Sequence, residues 1–447
     1  MMTELNQIKK IWWISLAVKL VLSAILPINA DESYYWVWSH HLQLSYYDHP
    51  AAVAWLFYLG HFLEPLGQAV RWPAVLLSHG TLAVWLLILK EYLPAKNLKV
   101  FTYLMIFSPL LGIGSMIVTP DVPVMFFWSL AVYFLFQIER HAHARDYLLL
   151  GAALGLGFCS KYHIVLFVPF LFAYLLIERR YQNIRWQYVP LTILAGLVFC
   201  LPVLLWNYQN NWASFAYQLN HGLEAAKNKP EWILRYVGAE IMLLFPLVVW
   251  AALKVKPKAE LKSLIYLGWG PFLFFFVTSF KGFVEANWPI VGFPAILALA
   301  ANHEKMQSWL KYYIGLWGSM VAVVLFALYF PPLREVSEHL VNTFEYRQLN
   351  EEVKSYRPIY AQTHLWASMM WYFSKEPVYK LKYMNRPDFF DFIDESKPTG
   401  DHFYLVVGKN ARLPDWVAKE NWTSKSIKKI SERFELLEFN KASTPEH

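Results

Sequence analysis

YVPLTILAGLVFCLPVLLW, residues Tyr188 to Trp206, runs for nineteen residues without a charge. A helix needs about 20 mostly apolar residues to cross the hydrocarbon core of a bilayer, so this segment predicts a membrane span. Working outward, similar runs predict spans at Ile11–Ile28, Ala69–Leu89, Leu98–Val118, Pro120–Ile138, Tyr147–Ser160, Tyr162–Ile177, Ile233–Leu253, Leu261–Phe280, Asn287–Ala301 and Tyr312–Phe330. Together they make about eleven crossings. Ala51–Leu66 is apolar too, but it is short, follows Pro50 and carries His61 and Glu64, which predicts a juxtamembrane helix.

The composition of the whole chain points the same way. Of 447 residues, 57% are hydrophobic and 16% charged, with 21 Trp, 27 Tyr and 32 Phe, whereas about 25% of a soluble domain is charged. That surplus exceeds what one soluble core can bury and excludes a disordered, collagen-like or disulfide-scaffold chain. The two cysteines, Cys159 and Cys200, lie in apolar runs and read as small core residues. A net charge of +7 is what membrane topology alone produces, and no basic stripe with interleaved aromatics points to nucleic acid. Pro27, Asn29, Ala30 and Asp31 make a poor cleavage site, so the first span reads as retained.

Sidedness follows from the basic residues. With the N-terminus inside, the inner loops hold Lys90, Lys96 and Lys99; Arg140 and Arg145; Arg179, Arg180 and Arg185; Lys254, Lys256, Lys258 and Lys262; and Lys305 and Lys311. The first outer loop carries Asp31, Glu32, Asp48 and Glu64 instead. This bias places residues 29–68 and the tail after 330 on the outer face. The tail is charge-rich, with strand patterns at Pro358–Gln362, Val378–Tyr383 and His402–Val407 and helical patches at Glu345–Tyr356 and Arg386–Ile393. About 110 residues can bury a modest core of their own. The predicted organisation is a transmembrane module over residues 1–330 and an outer α/β domain over 331–447.

Several polar groups stand out against this background. Asp31-Glu32-Ser33-Tyr34-Tyr35-Trp36 directly follows the first span. A carboxylate where the dielectric changes steeply has a raised pKa and suits a general base, and the aromatics could form a sugar or lipid platform. Equally, this is an acidic helix start within an interfacial aromatic belt. Thr119-Pro120-Asp121-Val122-Pro123 puts a carboxylate between two apolar helices, which marks either a functional group or a helix cap in a tight turn. Lys161, after Gly155, Gly157 and Ser160, either holds a phosphate as a point charge or snorkels from a span end. Asp48 and His49, with His221 after the polar loop from Trp206 to Trp212, offer oxygen and nitrogen ligands for a divalent metal, although a lone His is more often structural. Glu285 and Asn287 flank a hairpin turn or add a carboxylate and an amide to the same face. All of these fall at the outer face under one topology, whereas an ion-coupled transporter buries its ionisable groups near the midplane.

In chain order, the Asp31 motif, Tyr46-Tyr47-Asp48-His49-Pro50, Thr119-Pro120-Asp121, Ser160-Lys161-Tyr162, Trp206-Asn207 with His221 downstream, and Glu285-Ala286-Asn287-Trp288-Pro289 resemble the bacterial family 39-type glycosyltransferases. These are membrane enzymes related to protein O-mannosyltransferases and lipid A aminoarabinose transferases. The resemblance covers most of residues 11–301 and implies a mainly α fold, a polytopic helical bundle of the GT-C type. It further implies inverting transfer of one sugar from a polyprenyl-phosphate donor to an envelope lipid, glycan or protein at the periplasmic face of the inner membrane. Asp31 then takes the place of the catalytic carboxylate, with Glu32 as its companion. Asp121, Lys161, His49, Glu285 and Asn287 fall to donor phosphate and sugar, and Asp48 and His221 to a divalent metal ion. Aminoarabinose transferases have a Glu-Lys pair where this chain has Asp48-His49. The competing reading is a lipid-linked sugar transporter or flippase, which shares the spans and needs no base.

Overall fold

A computed structural model describes residues 2–223, 229–330, 338–409 and 411–442. The chain forms two compact units: Met1–Leu26 with Gln43–Leu325, and Pro27–Leu42 with Phe326–His447. The segment Pro27–Leu42, which the sequence analysis groups with the transmembrane module, thus packs with the C-terminal residues.

The first unit is helical, and each predicted span coincides with helix. Five stretches are long and apolar enough to cross a membrane: Ala52–Leu89, Asp121–His141, Trp186–Gln209, Ala259–Ser279 and Met306–Leu328. The predicted juxtamembrane helix and second span are one of these, running through Ala52–Gly60, a 3-10 segment His61–Arg71, and Trp72–Leu89. Other spans are broken, so strict length and composition give fewer crossings than eleven. Pro230–Leu244 and Pro246–Lys254 meet at 85°, and Ala95–Phe107 and Pro109–Met116 at 69°. The second break has a local cause. Pro109 disfavours helical backbone at the residue before it, and Ser108 adopts φ −58°, ψ 132°. Beyond it the chain folds back so closely that a Cβ at Gly112 would lie 2.1 Å from the Ile106 carbonyl oxygen.

Helix Ala144–Phe158, which leads to Lys161, lies against helix Val189–Gln209 through small residues. A Cβ at Gly151 would meet the Thr192 carbonyl oxygen at 2.1 Å, and one at Gly155 the Gly196 carbonyl oxygen at 2.6 Å. Such small-residue contacts let membrane helices approach where lipid supplies no hydrophobic drive. Both thiols are free; Cys159 is buried and Cys200 is half-buried.

The second unit holds a five-stranded sheet: β1 (Ile359–Ala361), β2 (Tyr379–Lys380), β3 (His402–Val407), β4 (Trp422–Lys429) and β5 (Glu435–Lys441). The order is β2-β1-β3-β5-β4, with β1 parallel to β2 and β3 and the β3–β5 and β5–β4 pairs antiparallel. The three expected strands are present. Helix Glu338–Val353 covers most of one expected helical patch, and the other is a single 3-10 turn, Phe389–Phe392. Helix His364–Ser374, β4 and β5 were not foreseen.

Candidate active site

Within the first unit, three separate sequence signals converge. Asp121 is the first residue of helix Asp121–His141, yet it caps nothing, since Pro120 stands at the N-cap without a side-chain cap bond. Its carboxylate instead accepts from Lys161 Nζ at 2.7 Å on Oδ1 and from Asn287 Nδ2 at 2.5 Å on Oδ2. The cap reading of Asp121 and the snorkelling reading of Lys161 are both corrected here, because each residue is only 7% exposed. Lys161 is extended (φ −158°, ψ 136°) between helix Ala144–Phe158 and the turn Tyr162–Leu166, which turns its side chain inward. An opposite charge and an amide hold the Asp121 carboxylate in place, at the positive end of its own helix.

Nearby, Ser45 and Pro50 form a β-bridge that closes the loop carrying Asp48 and His49. Trp206 Nε1 donates to Gln43 Oε1 at 2.8 Å, and Gln218 Nε2 to the Asp48 carbonyl at 2.8 Å. These bonds set Asp48, itself buried, against helix Ala213–Leu223. His221 belongs to that helix, one turn beyond Gln218, but its side chain lies outside the described residues. His49 is half-buried, and it and Lys161 both act electrostatically on His163. Glu285 is exposed and takes no part in the Asp121 cluster.

A cavity of about 220 Å³ reaches Asp121 and Asn287, and Lys19, Thr81 and Ser115 line it as well. Lys19 escaped the sequence reading, although a single charge inside an otherwise apolar span is itself a functional signal.

Asp31 and Glu32 are in the second unit, on helix Ala30–His40. Glu32 is fully buried, and its carboxylate accepts from the Asn29 backbone N–H at 3.2 Å while Asn29 Oδ1 accepts from the Glu32 N–H at 2.9 Å. This reciprocal capping box fixes the helix start. Asp31, one residue earlier, is exposed. The neighbouring aromatics are neither a sugar platform nor an interfacial belt: Tyr34, Trp36 and Trp38 are at most 3% exposed, packed inside the unit. The Phe389 N–H donates to Tyr34 Oη at 2.9 Å, Trp36 meets Tyr372 edge-on, and Lys375 Nζ lies 4.5 Å from the centre of the Trp36 ring. Helix Ala30–His40 is therefore seated rigidly in its unit.

The turn that receives Tyr34 is itself braced. Lys380 is fully buried; its Nζ donates to Asp391 Oδ2 at 2.8 Å and to the Arg386 carbonyl at 3.1 Å, and it pairs as an ion with Asp388 Oδ2 at 2.9 Å. Asp388 and Asp391 form a second capping box around Phe389–Phe392. His41 lies among the rings of Trp371, Tyr379 and Phe389. Burial there pushes its imidazole below 6.5, His40 adds to the shift and Glu395 opposes it.

The apolar spans and this architecture define a multi-pass membrane protein with the GT-C fold. The fold is that of ArnT from Cupriavidus metallidurans: the structure bound to undecaprenyl phosphate superimposes with a TM-score of 0.65 at 13% identity, covering 98% of this chain and 97% of that one. The apo structure of the same protein gives 0.66 at 12% identity, with 96% and 97% covered. The profile of the dolichyl-phosphate-mannose-protein mannosyltransferase family matches residues 48–206, which include Asp48, Asp121 and Lys161 but not Asp31. In sequence the chain is similar to the lipid A galacturonosyltransferase RgtD of Rhizobium johnstonii, 25% identical over 67% of this chain and 65% of that one. It is also similar to the undecaprenyl phosphate-alpha-4-amino-4-deoxy-L-arabinose arabinosyl transferase of Edwardsiella ictaluri, 29% identical over 43% of this chain and 40% of that one. These matches span less than two thirds of the length of either curated relative.

Proposed function

We propose that this protein is a glycosyltransferase of the inner membrane, which moves a sugar from a polyprenyl-phosphate donor to lipid A or another envelope acceptor at the periplasmic face. The observation that carries the reading is the buried Asp121–Lys161–Asn287 cluster beside a cavity, set in a bundle with the fold of a protein that binds undecaprenyl phosphate. The names of both sequence relatives, each a transferase of lipid A or of an undecaprenyl-phosphate sugar, support it further.

In this reading Asp31 takes the proton from the acceptor hydroxyl. That oxygen bonds to the anomeric carbon with inversion, and polyprenyl phosphate leaves with the electron pair of the broken bond. Of the two carboxylates in the motif, Asp31 is the exposed one and Glu32 is engaged in holding the helix start. Glu32 thus acts as a positioning residue rather than as a second base. Asp121, Lys161 and Asn287, with His49, provide the polar contacts for donor phosphate and sugar, where developing charge needs preorganised partners. Glu285, two residues before Asn287 and exposed, adds a further polar contact for the donor. Asp48 and the helix that carries His221 are tethered together, and the two residues would supply oxygen and nitrogen donors for a divalent ion, which would screen phosphate charge.

The test is turnover of radiolabelled polyprenyl-phosphate sugar by the purified full-length protein, with lipid A as acceptor. Wild type is expected to transfer label, and Asp31→Asn to abolish transfer with donor binding intact, since it removes a proton acceptor without changing size. Turnover above about a tenth of wild type, a single decade of general-base catalysis, would remove Asp31 as the base. Wild-type binding without transfer would overturn the transferase reading.

A further inference from the structure

Lys19 sits on helix Met2–Ile25, six residues before its end, about 9 Å along the axis at 1.5 Å per residue. It is 7% exposed. Its Nζ donates to the Leu111 carbonyl at 3.1 Å and to Ser115 Oγ at 2.8 Å. Those are two of the three bonds an ammonium can donate, and both acceptors are neutral. No carboxylate pairs with Lys19 among the described residues. An uncompensated cation inside a helical membrane bundle is expensive to hold. The same cavity is short of a second partner. Thr81 is 3% exposed, and its buried Oγ1 has no hydrogen-bond partner among the described residues. Lys19, Thr81 and Ser115 all line the cavity that reaches Asp121 and Asn287.

One positive charge, one N–H and one hydroxyl without a partner share one space, and a single oxyanion would satisfy all three. We infer that Lys19 and Thr81 form an oxyanion subsite within the bundle, with Ser115, whose own proton goes to the Gly112 carbonyl, holding the Lys19 ammonium in place; the subsite takes the anionic group of a lipid-linked sugar donor. That group is either the donor phosphate or a carboxylate on its sugar. The identity of the donor rests on the proposed function; the affinity for an oxyanion does not. Lys19 also braces the broken segment after Pro109 through the Leu111 carbonyl, a bond that an uncharged amide could make equally well. The charge is what remains for a ligand to use, and it disfavours a donor whose sugar carries an amine.

Equilibrium binding to the purified full-length protein tests this, with three probes: bare polyprenyl phosphate, its neutral hexosyl ester and its uronosyl ester. Lys19→Gln keeps a donor for Leu111 and Ser115 while removing the charge. If the subsite takes phosphate, Lys19→Gln weakens all three probes about tenfold or more, the size of a lost charge-assisted contact. If it takes a sugar carboxylate, only the uronosyl ester weakens. Lys19→Arg recovers the lost binding in either case. Thr81→Val, which removes one hydroxyl at nearly constant volume, weakens the same probe or probes several-fold and serves if Lys19→Gln does not fold. Wild-type affinity for all three probes in both variants would overturn the subsite. Failure of wild-type turnover together with Lys19-dependent binding would instead remove the transferase reading and leave the subsite standing.

Discussion

The two units bury lysines in opposite ways. In the second unit Lys380 has two carboxylates and a carbonyl around it, so its charge is fully compensated inside the fold. In the first unit, among the described residues, Lys161 has one carboxylate and Lys19 none. A matched buried ion adds little net stability but is costly to break, because removing one partner strands the other. An unmatched one has capacity left for something that arrives from outside. The gradient from Lys380 to Lys161 to Lys19 therefore separates a structural brace from groups available for binding.

The sharpest way to break this contrast is at Lys380. Lys380→Met leaves Asp388 and Asp391 facing each other in a dry interior and is expected to destabilise the second unit by about 3–5 kcal/mol. Limited proteolysis and near-UV circular dichroism of the full-length protein read this loss. Transfer falls with it, because the turn around Phe389 seats the helix that carries Asp31. A Lys380→Met protein with wild-type unfolding would show that the brace is dispensable.

At Lys161 the effect falls on function first. Lys161→Ala strips Asp121 of its counter-charge and leaves it Asn287 alone, and turnover is expected to drop by two or more decades, the scale of a lost electrostatic contact to a reacting group. Adding Asp121→Asn recovers thermal stability by removing the stranded charge, yet leaves turnover low. Recovery of both would make the pair a structural brace like Lys380. Chelation with Lys161 intact is expected to lower transfer through the ion proposed at Asp48 and His221, and unchanged turnover in chelator removes that ion.

The smallest expected effect is at His41. Its imidazole is held below 6.5 by burial, so the folded unit binds a proton less readily than the unfolded chain. Stability from this group is complete above about 6.5 and is lost as pH falls below that value. The unfolding midpoint of the second unit therefore drops between pH 7 and 5, and His41→Phe removes part of the drop. An identical pH dependence in the variant would assign the acid sensitivity elsewhere.

What the sequence made legible follows from how local each signal is. Spans are written in runs of apolar residues, and all eleven coincide with helix even where proline breaks them. The members of the Asp121 cluster stood out one by one, because charges beside apolar helices are conspicuous. Their meeting could not be read, since Lys161 is 40 and Asn287 166 residues from Asp121. Asn29 and Glu32 carried the spacing of a capping box, a local signal that favoured the structural role of Glu32. Lys19 was hidden by averaging, one charge among many apolar neighbours. Strand β4 was hidden for the converse reason: all but its first residue are exposed, and Lys425, Lys428 and Lys429 guard it as an edge.

The division of the second unit between Pro27–Leu42 and Phe326–His447 also sets a timetable for synthesis. Tyr34 and Phe389 bond across 355 residues, and at roughly 5–20 residues per second the ribosome needs about 20 to 70 s to bridge them. For that interval Tyr34, Trp36 and Trp38 have no interior to enter, and the helix bearing Asp31 waits without its seat. A nascent chain stopped before Phe389 carries Asp31 on an unsupported segment, so the activity proposed for Asp31 matures only after the residues around Phe389 have been made.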